Sequence, residues 1–126
     1  MPKDPILYVD DDHNNLVVFK SAFLDYFDVV TCLSPGEALE ICEEREFPII
    51  IADQRMPGMR GTEFLEIIKE KYPLTIRVLL TAYTDVVDVL DAINRGNVYK
   101  YITKPWRTEE MLMTLHRALE AYQLSV

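Results

Sequence analysis

Five short apolar runs recur along this chain, and a longer amphipathic stretch follows each of them. The runs are "ILYV" at 6–9, "DVVTCL" at 28–33, "PIIIAD" at 48–53, "TIRVLLTA" at 75–82 and "VYKYIT" at 98–103. The first, third and fourth are nearly continuously apolar, the signature of parallel strands covered on both faces. The intervening stretches carry apolar residues at three- and four-residue spacing, the period of a helix with one buried face. Leu16, Phe19, Phe23 and Tyr26 mark the first helix, from Asn14 to Tyr26. The second, "SPGEALEICEERE", has a start signal in Ser34 as N-cap, Pro35 at the first helical position and Glu37 closing a capping box. "TEFLEIIKEKY" ends before Pro73, and "DVVDVLDAINRG" closes on Gly96 as a C-cap. "TEEMLMTLHRALEAYQL" begins on Thr108 as N-cap, with two glutamates in its positive first turn. A strand–helix unit repeated five times predicts an α/β sandwich, one parallel sheet between two helical layers.

Composition narrows the partners. With 126 residues the chain is the size of one domain, and 49% hydrophobic content argues against disorder. Thirteen basic residues against 21 acidic give a formal charge of −8, so this domain is not expected to bind nucleic acid itself. Cys32 and Cys42 show no metal or redox spacing and read as buried free thiols in a reducing compartment. No signal peptide is visible, and no run approaches the roughly 20 apolar residues that span a bilayer. The expectation is a soluble, cytoplasmic domain without a membrane partner.

In a parallel α/β sheet, ligands bind beyond the carboxyl ends of the strands. Asp10 and Asp11 follow the first strand, Asp53 closes the third, Thr81 closes the fourth, and Lys104 follows the fifth with Pro105 behind it. Each alone has an ordinary reading: solvated acids at a loop start, a turn cap at Asp53, an unremarked Thr or Lys. Together they crowd one edge, where three carboxylates raise one another's pKa unless a cation sits among them. A hard divalent ion such as Mg²⁺ suits that donor set: two carboxylates, a backbone carbonyl and waters. No GxGxxG or Walker-type glycine loop follows any strand, and the "DDDHNN" loop repels a phosphate unless a metal arrives first. A carboxylate can itself accept a phosphoryl group. Asp53, on the central strand between the acids and the lysine, is the best placed to do so, with Lys104 and Thr81 on the phosphoryl oxygens.

The motifs "ILYVDDD", "IIIADQRMPGMRG", "VLLTAY" and "YITKPW", in that order, resemble those of response-regulator receiver domains, the phosphoacceptor modules of two-component signalling. The resemblance covers essentially the whole chain. It implies a flavodoxin-like (βα)5 fold with strand order 2-1-3-4-5, and phosphorylation of Asp53 by a sensor histidine kinase or phosphotransfer protein. It implies Mg²⁺, with Mn²⁺ as a substitute, held by Asp11, Asp53 and the backbone carbonyl of Arg55, with Asp10 acting through a metal-bound water. Thr81 and Lys104 would bind the phosphoryl group, Tyr101 would be the switch aromatic, and the Lys104–Pro105 peptide would be cis. Asp12 stands where the family often has a third acid and is peripheral. His13 reads as a loop or first-turn residue, and His116 as surface or packing.

The same resemblance extends to receivers of multidomain regulators, so residues 1–126 are expected to be the N-terminal part of a longer transcriptional or second-messenger regulator. A stand-alone adaptor is the other possibility. Phosphorylation is expected to be relayed through Thr81 and Tyr101 to the face of the fourth helix, fifth strand and fifth helix, where the chain would meet an output domain or a second copy. Tyr99, Tyr101 and Trp106 are that face's candidate anchors, with a core role the alternative for Tyr99. Arg55 and Tyr83, two residues beyond Asp53 and Thr81, are expected to set the phosphoryl lifetime. On this reading the chain catalyses its own phosphorylation and slow dephosphorylation but does not act on external substrates. The competing readings are a Mg²⁺-dependent phosphohydrolase with an aspartyl-phosphate intermediate and a flavin electron carrier. Arg55 disfavours the first, since it stands where such enzymes place a second acid, and the acidic first loop disfavours the second.

Overall fold

The structure, a computed structural model, describes residues 2–126. Its elements alternate along the chain: β1 (Pro5–Val9), α1 (His13–Phe23), β2 (Asp28–Cys32), α2 (Pro35–Glu44), β3 (Ile49–Asp53), α3 (Gly61–Lys71), β4 (Ile76–Ala82), a 3-10 turn (Tyr83–Asp85), α4 (Val86–Asn94), β5 (Lys100–Lys104) and α5 (Thr108–Ser125). All strand pairs are parallel, in the order β2-β1-β3-β4-β5. This is the flavodoxin-like order, with β3 central.

The apolar strands supply both layers because successive side chains point to opposite faces. Leu7, Val9, Ile50, Ala52 and Leu79 pack with Ala38, Phe64, Leu65, Ile68 and Val89 from α2, α3 and α4. Ile6, Tyr8, Ile49, Ile51, Val78 and Leu80 pack with Leu16, Phe19 and Phe23 of α1 and Met111, Leu115 and Ala118 of α5. Two cores thus share one sheet, which explains why the strands lack a polar alternation.

Local signals set most boundaries. Asp12 is the N-cap of α1, its carboxylate accepting from the backbone N–H of Asn14 at 2.8 Å and of Asn15 at 3.3 Å. It therefore starts the helix whose first residue is His13, rather than standing idle beside the acid pair. Ser34 Oγ accepts from the Glu37 N–H at 3.2 Å, forming the cap expected of it.

Several element boundaries need correction. Helix α1 ends at Phe23, and Tyr26 lies beyond it, half exposed, so it does not continue the buried stripe. Thr108 is the first residue of α5; Arg107 occupies the cap position. The fifth strand runs from Lys100 to Lys104, two residues later than its β-prone residues suggest at the start, so Val98 and Tyr99 precede it. The fourth helix is shorter at both ends, with the 3-10 turn taking up Asp85.

The start of β5 is displaced by the way α4 stops. Gly96 has φ +76, its N–H donates to Ile93 O at 3.0 Å, and the Asn97 N–H donates to Ala92 O at 2.9 Å. This paired arrangement is a Schellman cap, which needs a left-handed residue at the Gly96 position. The Arg77 guanidinium reinforces it, donating to Asn97 O at 2.9 Å, Gly96 O at 3.2 Å and Thr75 O at 2.8 Å. A cation on the carbonyls at a helix C-terminus is favourable. Gly96→Ala keeps the space, since an added Cβ meets only Lys69 Nζ at 3.5 Å, but strains the backbone. We expect it to lower unfolding free energy by about 1–2 kcal/mol, read by urea denaturation at unchanged m-value.

Candidate functional site

Register delivers the site. Val9 pairs with Ala52, Asp53 with Leu80, Thr81 with Thr103 and Ala82 with Lys104, so the residues at or just past these strand ends share one edge. Asp10 and Asp53 are buried there, and Asp11 is exposed. One carboxylate oxygen from each of Asp10, Asp11 and Asp53 lies within 4.8 Å of the others.

Asp10 is fixed by three donors. The Tyr8 hydroxyl donates to its Oδ2 at 2.5 Å, Asn15 Nδ2 to the same oxygen at 3.0 Å, and the Asp12 N–H to Oδ1 at 2.9 Å. Burial, together with the neighbouring Asp10 carboxylate, pushes the Tyr8 hydroxyl well above its ordinary pKa, so it stays a donor. Sequence reasoning missed Tyr8 and Asn15, because a tyrosine within an apolar run reads as core and here is both core and donor.

Asp53 accepts from Lys104 Nζ on Oδ1 at 2.5 Å and from the Arg55 N–H on Oδ2 at 3.2 Å. Burial raises its pKa above the ordinary carboxylate range, Lys104 opposes that rise, and Asp10 adds to it. The lysine stands in for part of the positive charge that the acid cluster requires. Lys104 is the last residue of β5, not the first beyond it, and its peptide bond to Pro105 is cis.

The loop after β3 is tied down around Asp53. Gln54 donates its N–H to Leu80 O at 2.8 Å and accepts the Thr62 N–H on its side-chain oxygen at 2.9 Å. Gly61 opens α3 directly against the Asp53 backbone: a Cβ there would lie 2.4 Å from Asp53 O. That close approach explains the final glycine of "QRMPGMRG", a requirement for space rather than for an unusual φ.

The remaining candidates divide between this centre and other parts of the molecule. Thr81 is fully buried, and its hydroxyl makes only a long bond to Ala82 O at 3.4 Å. Tyr101 is half-buried and packs against the core on the α2–α4 side. Tyr83 is 81% exposed. The Arg55 guanidinium pairs with Asp85, Nε to Oδ2 at 2.6 Å and Nη2 to Oδ1 at 2.7 Å, and not with Asp53. Trp106 does not join the α4 face: its ring packs on Phe19 and Phe23 of α1, at 5.8 and 5.5 Å between centroids. His13 opens α1, and His116 is an exposed α5 residue beside the Tyr26 and Phe27 rings.

The donor set is all oxygen, carboxylates that a Lys104 ammonium only partly balances, and it fits a hard divalent cation better than a soft one. Among the described residues no helix is long and apolar enough to cross a membrane.

The chain belongs to the response regulator receiver domain family, whose model matches residues 6–116. It is 34% identical over 119 residues to the hydrogenase transcriptional regulatory protein HoxA of Cupriavidus necator, covering 94% of this chain and 25% of that protein. It is 29% identical over 124 residues to the DNA-binding transcriptional regulator NtrC of Escherichia coli, covering 98% of this chain and 26% of that one. The chain therefore spans about a quarter of the length of these curated relatives. Among solved structures, an adenylate cyclase from Rhodopirellula baltica superposes with TM-score 0.93 at 31% identity, covering 98% of this chain and 92% of that chain. A response regulator receiver domain protein from Clostridium thermocellum gives TM-score 0.91 at 26% identity, covering 98% and 99%. Membership places the chain in phosphorylation-dependent two-component signalling.

Removing the Tyr8 hydroxyl leaves a buried carboxylate oxygen with Asn15 as its one remaining donor. Tyr8→Phe should lower unfolding free energy by about 1.5–3 kcal/mol, the range for hydrogen bonds to charged groups, measured by urea denaturation. An unchanged midpoint would show that the Tyr8–Asp10 bond contributes nothing net.

Proposed function

We propose that Asp53 is the phosphoacceptor of a switch that passes a signal from a sensor histidine kinase or phosphotransfer protein to an output. The observation that carries this is the Asp53–Lys104 pair inside the three-carboxylate cluster, at the end of the central strand. An Asp53 carboxylate oxygen attacks phosphorus as the N–P bond of the donor phosphohistidine breaks. The departing imidazole takes up a proton, and an aspartyl phosphate remains. Lys104, already on Asp53, is in place to follow the charge onto a phosphoryl oxygen. The Thr81 hydroxyl, held by one long bond, is free to turn to another. When bound by Asp11, Asp53 and the Arg55 carbonyl, with Asp10 acting through water, Mg²⁺ (or Mn²⁺) supplies charge neutralisation of the transferring group.

Turning of Thr81 would open space for the half-buried Tyr101 ring, and so reach the face of α4, β5 and α5. That face exposes Tyr83, Val87, Leu90 and Tyr99, apolar surface of the kind a partner covers. Its occupant, on this reading, is the output of a longer regulator in which residues 1–126 are the N-terminal domain, or a second copy of this chain. The net charge of −8 supports leaving nucleic-acid contact to another domain. Autodephosphorylation is slow, with Arg55 and Tyr83 controlling access of water. No observation favours the phosphohydrolase reading.

Incubation with acetyl phosphate and Mg²⁺ should add one phosphoryl mass to the wild type, none to Asp53→Asn, and none in EDTA. Equal labelling of Asp53→Asn would overturn the acceptor assignment. Loading with the phosphoryl mimic beryllofluoride should shift backbone NMR resonances of Tyr101, α4 and α5 as well as of the Asp53 loop. Shifts confined to that loop would contradict the relay.

A further inference from the structure

Helix α4 is held unequally at its two ends. Its C-terminus is fixed by the Gly96 cap, by Arg77 on the carbonyls of Gly96 and Asn97, and by Lys69 Nζ on Arg95 O at 2.7 Å. At its N-terminus the Val86 N–H donates to Tyr83 O of the 3-10 turn, and one ion pair, Arg55–Asp85, reaches across from the loop that follows Asp53. Asp85 occupies the N-cap position of α4, yet its side chain makes no cap bond to the helix. Aspartate is among the best N-cap residues, because its carboxylate satisfies first-turn N–H groups and the positive end of the helix dipole. Here both of its oxygens are spent on Arg55 instead. Asp85 is buried, whereas the Arg55 side chain is three-quarters exposed.

We infer that Asp85 is a two-position residue: it holds Arg55 away from Asp53 in the unphosphorylated chain, and caps α4 once a phosphoryl group on Asp53 has taken Arg55. This rests on Asp53 being the acceptor. Arg55 is shared between two anions. Its own N–H already donates to Asp53 Oδ2, so its backbone is beside the acceptor while its guanidinium faces Asp85. Phosphorylation raises the negative charge at Asp53 and adds oxygens that match a guanidinium fork. The pair is bidentate, but its Arg55 end is open to solvent, so the guanidinium can exchange one bidentate anion for a more highly charged one nearby. The carboxylate released can cap the helix once the Asp85 backbone turns from its present φ −101, ψ 1 to the extended geometry of an N-cap, which brings it to the Val87 and Asp88 N–H groups. Asp85 thus acts as a positioning residue for Arg55, and the exchange couples the acceptor to the one helix that exposes Val87 and Leu90.

The two states make opposite demands on the α4 amides, so amide exchange discriminates them. In the unphosphorylated chain, Arg55→Gln should free Asp85 to cap, slowing NMR-detected exchange at Val87 and Asp88 by roughly five-fold, the factor an ordinary helix cap supplies. Phosphorylated wild type, verified by intact mass, should show the same slowing. Asp85→Ala should abolish it in both settings, and Asp85→Asn, which keeps a capping oxygen, should restore most of it. The phosphoryl group should also decay faster in Arg55→Gln than in wild type and slower in Asp85→Ala. The Asp85 substitution should have no effect on decay in the Arg55→Gln background. Unchanged or faster exchange at Val87 and Asp88 in Arg55→Gln overturns the inference whether or not Asp53 is the acceptor. Slowed exchange in that variant, with no mass gain in the wild type, upholds the Asp85 exchange but overturns its link to Asp53.

Discussion

The Asp53–Lys104 ion pair, buried on the acid side and partly open on the lysine side, is the contact on which the rest of the site depends. Two buried carboxylates and an exposed third are gathered at one sheet edge, an arrangement that costs desolvation and repulsion. Lys104 offsets part of that cost, and the donors on Asp10 offset more. What is left is a site short of positive charge and rich in oxygen, suited to a hard divalent cation. The sheet makes this possible: β1, β3, β4 and β5 are parallel and in register, so their carboxyl ends meet at one place.

The same geometry explains what could be read from the residues alone. Apolar runs alternating with helical periodicity define a parallel sheet with two covered faces, and parallelism alone brings Asp10, Asp53, Thr81 and Lys104 to one edge. No side-chain orientation is needed for that inference. Contacts that depend on orientation were not legible. Tyr8–Asp10 links a core residue to a site residue two positions on. Arg55–Asp85 joins segments thirty residues apart, through the entry angle of α4. Trp106 lies toward α1 rather than α4 because of the path taken after β5. The displaced start of β5 follows from the Gly96 cap, whose glycine was legible but whose hydrogen bonds occupy the next residue.

The parts of the molecule that carry stability differ from those proposed to signal. The two cores are buried, and the C-terminal clamp of α4 is well bonded. The elements proposed to respond are a Thr81 hydroxyl on one long hydrogen bond, a partly buried Tyr101 ring, and an α4 N-terminus tied to the Asp53 loop through an arginine open to solvent. Switching elements belong at the weakly held end of a structure, since a ligand shifts an equilibrium only by its differential interaction with the two states.

Locating the phosphoryl group chemically tests the central claim most directly. Borohydride reduces an aspartyl phosphate to homoserine with loss of phosphate, and peptide mass mapping then reads the position. Treatment of the phosphorylated chain should place homoserine at position 53 and leave Asp10, Asp11 and Asp12 unchanged. Homoserine at another aspartate, or a stable phosphoryl mass on His13 or His116 with position 53 unmodified, would contradict the account.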